Sequence, residues 1–318
     1  MTLGRRSFLL PVPALLLAPP SSPITALAFS PDGRHLVAAQ GRKLRVRSVG
    51  GGPNREIPIA LAQTHDVAFR PDGGLLALGG GTTGESGSVV LLTWPEGRMT
   101  GRLTGHRDQV MALAWLPGGS RLISAGADRR VLLHSVPGSG PPSEWKGHTG
   151  AVLAAVVAPD GRSVVTAGAD RSLRVWNSDT GREVRSLNFH TAAVQCLAFR
   201  PPVVGRATAP YCASGGEDRT ARVWQPEIGR MVRILRGFQG VVLATRFSRD
   251  GSRLFVADAG GMIRCFDADS DELLHEWQAH SGWVYGLDLA PDGKILASGD
   301  STGQVRLWEP ESGRPKEL

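Results

Sequence analysis

The chain repeats a short pattern at a nearly constant interval, and this period restricts its possible folds more than any other feature. His106, His148 and His190 follow one another at intervals of 42 residues. Phe238 takes the histidine position 48 residues after His190, and His280 follows after another 42. A chain that repeats on this scale folds as a row or ring of similar units, because one unit alone cannot bury its apolar face.

Each copy of the repeat has the pattern of several short strands. Runs of alternating apolar residues are separated by turn sequences such as Ser-Pro-Asp-Gly, Ala-Pro-Asp-Gly and Gly-Ala-Asp-Arg. Alternation with a period of two predicts half-buried strands, and Pro, Asp and Gly favour the turns between them. Four strands in roughly 40–45 residues is the spacing of a propeller blade. Weaker copies that begin at Ile24 and Thr64 precede five clear ones, so the chain contains seven copies.

The copies predict one domain over residues 1–318. Its approximate repeats are 19–58, 59–104, 105–146, 147–188, 189–236, 237–278 and 279–318. The last copy is short, because the residues after Trp308 provide a turn but barely a fourth strand. Residues 13–18 align with the outer strand of the other copies. We therefore expect them to complete the last blade and to close the ring, which hides its edge strands.

Polar residues recur at matching places in the copies. His148 is followed by Thr166, Asp170 and Trp176, and the step from His148 to Trp176 is 28 residues. Such a set could be read as a hydrolase triad, but a triad is needed once, whereas this set recurs. A structural role is therefore the better interpretation. The recurring sets are His106, Ser124 and Asp128; His148, Thr166, Asp170 and Trp176; His190, Ser214, Asp218 and Trp224; and His280, Ser298 and Trp308.

The spacing and identity of these residues resemble the WD40 repeat family over essentially the whole chain. The resemblance implies an all-β, seven-bladed WD40-like β-propeller, with four antiparallel strands per blade and a ring closed by an N-terminal strand in the last blade. It also implies that each set forms a buried tetrad, in which the Trp N–H reaches the hydroxyl, the hydroxyl reaches His and His meets Asp. Some copies depart from the family pattern: no Trp-Asp dipeptide is present, the seventh copy has Thr302 where Asp is expected, and the sixth has Phe238, Val256, Gly260 and Phe266 at the four positions.

Composition narrows the class of protein further. No apolar run is long enough for a transmembrane helix. Three cysteines without metal-ligand spacing predict neither a disulfide framework nor a metal site. The net charge is +7, but the arginines are scattered rather than clustered, which favours solvated faces over a nucleic-acid surface. We expect no cofactor, no membrane span and no nucleic-acid partner.

The N-terminal residues allow two interpretations. Arg5 and Arg6 followed by an apolar stretch resemble a twin-arginine export signal. The small-residue motif Ala-Leu-Ala at 26–28 lies inside the expected first strand, where cleavage would destroy the closure of the ring. We therefore favour a closing strand and a cytoplasmic protein, with export through a twin-arginine-like signal as the alternative.

In a propeller, the loops between blades and the turns between second and third strands share one face, which we call the top face. Trp283 and Tyr285 bracket the first apolar anchor of their copy and form either a partner-binding pair or a packing contact between blades. The arginine after each tetrad Asp would lie on the same face and would favour an acidic partner, or would simply be solvated. The candidate partner-binding residues are Trp283, Tyr285, His65, Met111, Gln109, Gln195, Arg129, Arg171 and Arg219.

These features predict a non-catalytic protein–protein interaction scaffold. We expect a monomeric ring within a larger complex, which presents its top face and central mouth to a peptide or protein. One alternative is an enzyme or small-ligand binder that uses the central channel, where His65 is the one residue among the acids and histidines expected to face inward. A second alternative is nucleic-acid binding through arginine, which predicts a steep loss of affinity with salt.

Overall fold

A computed structural model describes residues 22–137, 140–203 and 210–317 of the chain. Within these ranges the regular secondary structure is β-strand, and no helix is long and apolar enough to cross a membrane. The strands form seven antiparallel sheets in a ring, so the predicted fold class, a seven-bladed β-propeller, is confirmed. The expected closing strand, residues 13–18, lies outside the described residues.

The first four blades each contain four consecutive strands. Blade 1 contains β1 (Ile24–Phe29), β2 (His35–Gln40), β3 (Lys43–Ser48) and β4 (Arg55–Pro58). Blade 2 contains β5 (Gln63–Phe69), β6 (Leu75–Thr82), β7 (Ser86–Thr93) and β8 (Met99–His106). Blade 3 contains β9 (Val110–Trp115), β10 (Arg121–Gly126), β11 (Val131–Ser135) and β12 (Ser143–Trp145). Blade 4 contains β13 (Val152–Val157), β14 (Ser163–Gly168), β15 (Leu173–Asn177) and β16 (Glu183–Leu187).

The remaining blades follow the same order. Blade 5 contains β17 (Val194–Phe199), β18 (Cys212–Gly216), β19 (Ala221–Gln225) and β20 (Arg230–Leu235). Blade 6 contains β21 (Val242–Phe247), β22 (Arg253–Asp258), β23 (Met262–Asp267) and β24 (Leu273–Gln278). Blade 7 contains β25 (Val284–Leu289), β26 (Leu296–Asp300) and β27 (Val305–Trp308), which are its three strands among the described residues.

Apolar side chains fill the space between neighbouring blades. One cluster joins Leu44 of blade 1 to Leu78 of blade 2, and another joins Ile123 of blade 3 to Trp176 of blade 4. All four side chains are buried. Removing apolar surface from water contributes about 25 cal/mol per Å². Each blade is therefore stabilised mainly by the blades beside it, as the repeat pattern predicts.

The ring closes between the last blade and the first. β25 packs beside β1, as each first strand packs beside the first strand of the next blade. Across this joint, Asp288 Oδ2 accepts a hydrogen bond from the backbone N–H of Phe29 at 2.7 Å. On the outer rim, Pro315 lies opposite Trp308, and the N–H of Lys316 donates to the carbonyl of Leu307 at 2.8 Å. The C-terminal residues therefore begin the fourth-strand position of blade 7.

Candidate functional site

Blade 4 shows the fullest arrangement of the recurring polar residues. Trp176 Nε1–H donates to Thr166 Oγ1 at 2.7 Å, and Thr166 Oγ1 lies 2.7 Å from His148 Nε2. His148 Nδ1 lies 2.8 Å from Asp170 Oδ2. A neutral imidazole protonated at Nδ1 satisfies all four groups, because it donates to the carboxylate and accepts the hydroxyl proton. The set ties the loop before the blade to the blade's own inner hairpin.

The order of atoms in this set is that of a hydrolase triad, but the hydroxyl is out of reach of a substrate. Thr166 has no exposed surface, and its oxygen already accepts the indole N–H of Trp176. Ser214 in blade 5 and Ser298 in blade 7 are equally buried. A nucleophile has to contact its substrate, so the arrangement supports a structural role.

Blades 3 and 5 repeat the set with one exchange. In blade 5, Ser214 Oγ lies 2.8 Å from both His190 Nε2 and Trp224 Nε1, and His190 Nδ1 lies 2.8 Å from Asp218. In blade 3, the fourth position is His134, whose Nε2 lies 2.8 Å from the serine hydroxyl. Burial lowers the pKa of His134 to about 4, so the ring is neutral at pH 7. The other members of the blade 3 set are Ser124, 2.8 Å from His106 Nε2, and Asp128, 2.9 Å from His106 Nδ1.

Blade 7 takes its carboxylate from an unexpected residue. His280 Nε2 lies 2.7 Å from Ser298 Oγ, which also accepts the indole N–H of Trp308 at 2.8 Å. His280 Nδ1 faces Asp300 Oδ2 at 3.1 Å, and both side chains are fully buried. The sequence pattern placed the missing Asp at Thr302. The structure corrects this, because Asp300 stands two residues earlier and Thr302 Oγ1 donates to it at 2.8 Å.

Blade 6 replaces the tetrad with a buried ion pair. Arg264 Nη1 lies 2.7 Å from Asp258 Oδ2, and 8% and 0% of the two side chains are exposed. The guanidinium carbon also lies 5.1 Å from the centre of the Phe238 ring, and its Nε–H donates to Glu276 at 2.8 Å. Phe238 stands at the histidine position, so a cation–π contact and an ion pair take the place of the His–Asp hydrogen bond.

Both carboxylate positions belong to one four-residue turn between the second and third strands. In blades 3 to 5 the turn begins with Gly and has Asp third, whereas in blades 6 and 7 it begins with Asp258 or Asp300. A Cβ on Gly126 would lie 2.5 Å from His106 Nδ1 and 2.7 Å from Asp128 Oδ1. In blade 3 the turn therefore has room for a carboxylate at its first position or at its third, but not at both.

The fourth residue of this turn has a left-handed backbone in all five blades. The φ angle is 69° at Arg129, 66° at Arg171 and 56° at Arg219. Glycine takes the same place in the last two blades, with φ of 80° at Gly261 and 84° at Gly303. The left-handed conformation costs a residue with a Cβ about 1–2 kcal/mol, which glycine avoids. All three arginines are exposed on the top face.

The centre of the top face is the opening of a channel of about 780 Å³. We call this opening the top mouth, and it is lined by one residue from each blade. Trp283 stands beside it, 53% exposed, with its ring centre 6.1 Å from that of Tyr285 in an edge-on contact. The lining residues are Thr25, His65, Met111, Leu153, Gln195, Leu243 and Tyr285.

Both glutamines that were predicted to bind a partner donate hydrogen bonds to other side chains. Gln109 is buried and its Nε2 donates to Gln63 Oε1 at 2.5 Å. Gln195 lines the top mouth, and its Nε2 donates to Glu217 Oε1 at 2.9 Å. His65 also lines the mouth, where burial lowers its pKa and its Nε2 has no hydrogen-bond partner among the described residues. His65 therefore brings a buried nitrogen without a hydrogen-bond partner to the wall of the mouth.

Among the described residues, three further charged side chains face the channel below the mouth, and two of them are carboxylates. The expectation that His65 is the one inward-facing residue among the acids and histidines is therefore wrong. Arg246 Nη2 lies 2.5 Å from Asp288 Oδ1. Asp66 Oδ2 accepts the backbone N–H of Leu113 in the next blade at 2.7 Å, and burial raises the pKa of Asp66 to about 6. The sequence did contain a sign of these residues: each is a charged residue in a first strand, at a position where most other copies have a small apolar residue.

The ring and its repeated tetrads define a seven-bladed propeller built from repeats with a His, Ser/Thr, Asp and Trp pattern. The family model described as WD40, "WD domain, G-beta repeat", matches residues 14–47, 97–135, 140–177, 181–225 and 271–309. These matches cover more than half of the chain. The chain belongs to the WD40 repeat family.

Individual proteins match shorter stretches. Eukaryotic translation initiation factor 3 subunit I of Neurospora crassa is 32% identical over 81 residues, which are 26% of this chain and 23% of that protein. Apoptotic protease-activating factor 1 of Homo sapiens is 38% identical over 87 residues, 25% of this chain and 7% of that protein. Telomerase protein component 1 of Mus musculus is 37% identical over 84 residues, 25% of this chain and 3% of that protein. The match spans less than a quarter of each relative's length.

Proposed function

We propose that the protein is a non-catalytic interaction scaffold that binds a protein or peptide partner at its top mouth. The observation that carries this proposal is the exposure of Trp283, 53%, beside Tyr285 at the opening of the channel. Large aromatic side chains supply much of the binding energy at protein interfaces. Met111, Leu153 and Leu243 add apolar surface to the same opening. A partner would bury this surface, which water covers in the free ring.

The burial of the tetrad hydroxyls argues against a catalytic role for them and so also supports the scaffold proposal. The Ser and Thr residues that the sequence pattern offered as nucleophiles have no exposed surface. A relative from Neurospora crassa is by name a subunit of a translation initiation factor, which supports a place for this chain in a larger cytoplasmic complex. The proposed partner is therefore another protein.

The test is proximity cross-linking of the wild-type protein and of a Trp283→Ala, Tyr285→Ala double variant in the native host. We expect the double variant to lose at least 80% of the capture of one or more wild-type partners. The matched control is Ile228→Ala with Leu273→Ala, since these side chains are also exposed, 53% and 43%, but stand away from the mouth. Unchanged capture by the double variant would exclude the top mouth as the binding site.

A small-ligand or catalytic role in the channel is the second candidate. The observation in its favour is the neutral His65, whose Nε2 is buried without a partner at the wall of a channel of about 780 Å³. Screening of metabolite and hydrolase-substrate libraries against wild type and His65→Ala tests this candidate. Binding or turnover that the substitution abolishes supports it, and activity that is indifferent to the substitution removes it.

Cytoplasmic location is part of the main proposal, and export through the twin-arginine-like residues is its alternative. Mass spectrometry of the protein isolated from its native host distinguishes the two. An N-terminus upstream of residue 13 in the soluble cytoplasmic fraction supports the main proposal. A mature N-terminus beyond Leu17 in an exported fraction contradicts it.

A further inference from the structure

Three exposed arginines occupy the same position in three adjacent blades. Arg129, Arg171 and Arg219 each end the turn between the second and third strands, and we call these three residues the arginine arc. Among the described residues, no carboxylate lies within ion-pair distance of any of the three. Elsewhere in the same blades, arginines do find acidic partners. For example, Arg130 pairs with Glu144 at 2.7 Å, and Arg174 pairs with Glu183.

Glycine would satisfy the backbone requirement at each position of the arginine arc. Each arginine has a left-handed backbone, with φ between 56° and 69°. Blades 6 and 7 place Gly261 and Gly303 at the same position without the steric cost. The arginines therefore stand on hydrogen-bonded turns and are exposed to solvent, so their charge is available to a second molecule.

A cleft of about 530 Å³ lies beside the central member of the arc. Its walls include Arg171 and Phe189, and Phe189 is 54% exposed in the loop between blades 4 and 5. The Asp170 carboxylate also borders the cleft, but it is committed to His148 at 2.8 Å and to the Ser172 hydroxyl at 2.7 Å. Arg174 completes the wall, and its Nε is buried without a hydrogen-bond partner among the described residues.

We infer that the arginine arc and this cleft bind an acidic segment of a protein partner. The segment would lie across the tops of blades 3 to 5, with carboxylates on the arc and an apolar side chain against Phe189 in the cleft. Charge complementarity favours this occupant, because the arc offers unpaired guanidinium groups beside an apolar surface. Three cations spread over three blades do not form the continuous basic stripe that is typical of nucleic-acid binders. The inference deepens the proposed function, since it rests on docking at the top face.

The test uses a fluorescein-labelled peptide of fifteen residues in which Glu and Asp alternate with Leu and Phe. A second peptide with Gln and Asn in place of the acids is the ligand control. The test variant is Arg129→Gly, Arg171→Gly, Arg219→Gly, because glycine suits the left-handed turn and should preserve folding. A second variant with asparagine at the three positions repeats the charge removal with a different side chain.

The opposite face offers a matched control. Arg98, Arg182 and Arg314 are exposed and follow a glycine in the turn between third and fourth strands. Their replacement by Gln removes the same three charges from the bottom of the ring. We expect the acidic peptide to bind wild type and the bottom-face variant with affinities within twofold, and the arc variants at least tenfold more weakly. Phe189→Ala should weaken binding about threefold.

Several outcomes would overturn the inference. One is an equal loss of affinity in the arc and bottom-face variants. Another is no binding of the acidic peptide at 50 mM NaCl, and a third is tighter binding of a poly(U) RNA, which would assign the arc to nucleic acid. The Trp283→Ala, Tyr285→Ala double variant separates this inference from the proposed function. If the arc variants bind normally while that double variant still loses its cross-linked partner, the arc is excluded and the top mouth stands.

Discussion

Blades 3 to 5 and blades 6 and 7 each bury a carboxylate in the turn between the second and third strands, but they use different residues to do so. In blades 3 to 5, a carboxylate at the third position of the turn meets the histidine of the preceding loop, as Asp170 meets His148. In blades 6 and 7 the carboxylate comes from the first position, and in blade 6 its partner is Arg264. In each of these five blades, a buried carboxylate of this turn faces a histidine or arginine nitrogen, as a buried charge requires.

The two groups of blades also differ at the surface residue that ends the turn. Where the carboxylate is third, the turn ends in an exposed arginine; where it is first, the turn ends in Gly261 or Gly303. The tetrads face inward and leave no group for a partner, whereas the fourth turn residue faces outward. Two residues that are adjacent in the chain therefore differ in their surroundings: Asp170 contacts His148, whereas Arg171 is exposed to solvent.

The largest expected effect comes from breaking the ion pair of blade 6. Asp258→Ala leaves the Arg264 guanidinium, 8% exposed, without its buried partner, and we expect a loss of about 3–5 kcal/mol of unfolding free energy. Urea denaturation followed by circular dichroism measures it. The double variant Asp258→Gly, Arg264→Leu removes both buried charges and introduces the residues that blade 3 has at these two places, Gly126 and Leu132. It should recover to within about 1 kcal/mol of wild type. A double variant as unstable as the single one would show that the loss does not come from the unpaired charge of Arg264.

An intermediate effect is expected when one turn is converted into the other type. Gly126→Asp alone brings a second carboxylate against Asp128 and His106, and it should cost about 2–3 kcal/mol. The triple variant Gly126→Asp, Asp128→Gly, Arg129→Gly copies the carboxylate placement of blade 7. It should therefore recover most of the unfolding free energy that the single variant loses. Chemical denaturation of both variants and of the single Asp128→Gly gives the coupling between the positions. Additive losses would show that the two placements are not equivalent.

The smallest effect is a pH dependence that distinguishes blade 3 from its neighbours. Burial lowers the pKa of His134 from 6.5 to about 4. The unfolded chain therefore gains a proton near pH 6.5 that the folded blade rejects until about pH 4, so the free energy of unfolding falls as the pH drops through this window. His134→Trp supplies the indole donor of blade 4 and should reduce the loss between pH 7 and pH 5 by about 1–2 kcal/mol.

The reverse exchange is the control for this pH dependence. Trp176→His in blade 4 should introduce the same acid sensitivity that His134→Trp removes. Thermal unfolding at pH 5, 6 and 7 compares the two variants with wild type. Parallel pH curves for all three proteins would show that the fourth tetrad position does not set the acid response.

Much of the fold could be predicted from the repeat alone, because a period of about 42 residues with four apolar runs allows few arrangements. The carboxylates of blades 6 and 7 could not be predicted in this way. A linear motif expects the Asp at one fixed position, whereas in the folded turn a side chain from either of two positions can bring its carboxylate to the same place. Asp258 and Asp300 are each followed by a glycine three residues later, but the repeat pattern expects its Asp at the positions of Gly260 and Thr302. The charged residues of the channel were missed because neighbours across a ring are distant in the chain.

The left-handed place at the end of each turn has an evolutionary consequence. A single base substitution converts a CGN codon for arginine into a GGN codon for glycine, and the left-handed backbone at Arg129, Arg171 and Arg219 also suits glycine. The positive charge on the top of blades 3 to 5 can thus be lost one blade at a time, by mutations that leave the protein's interior and its ability to fold untouched.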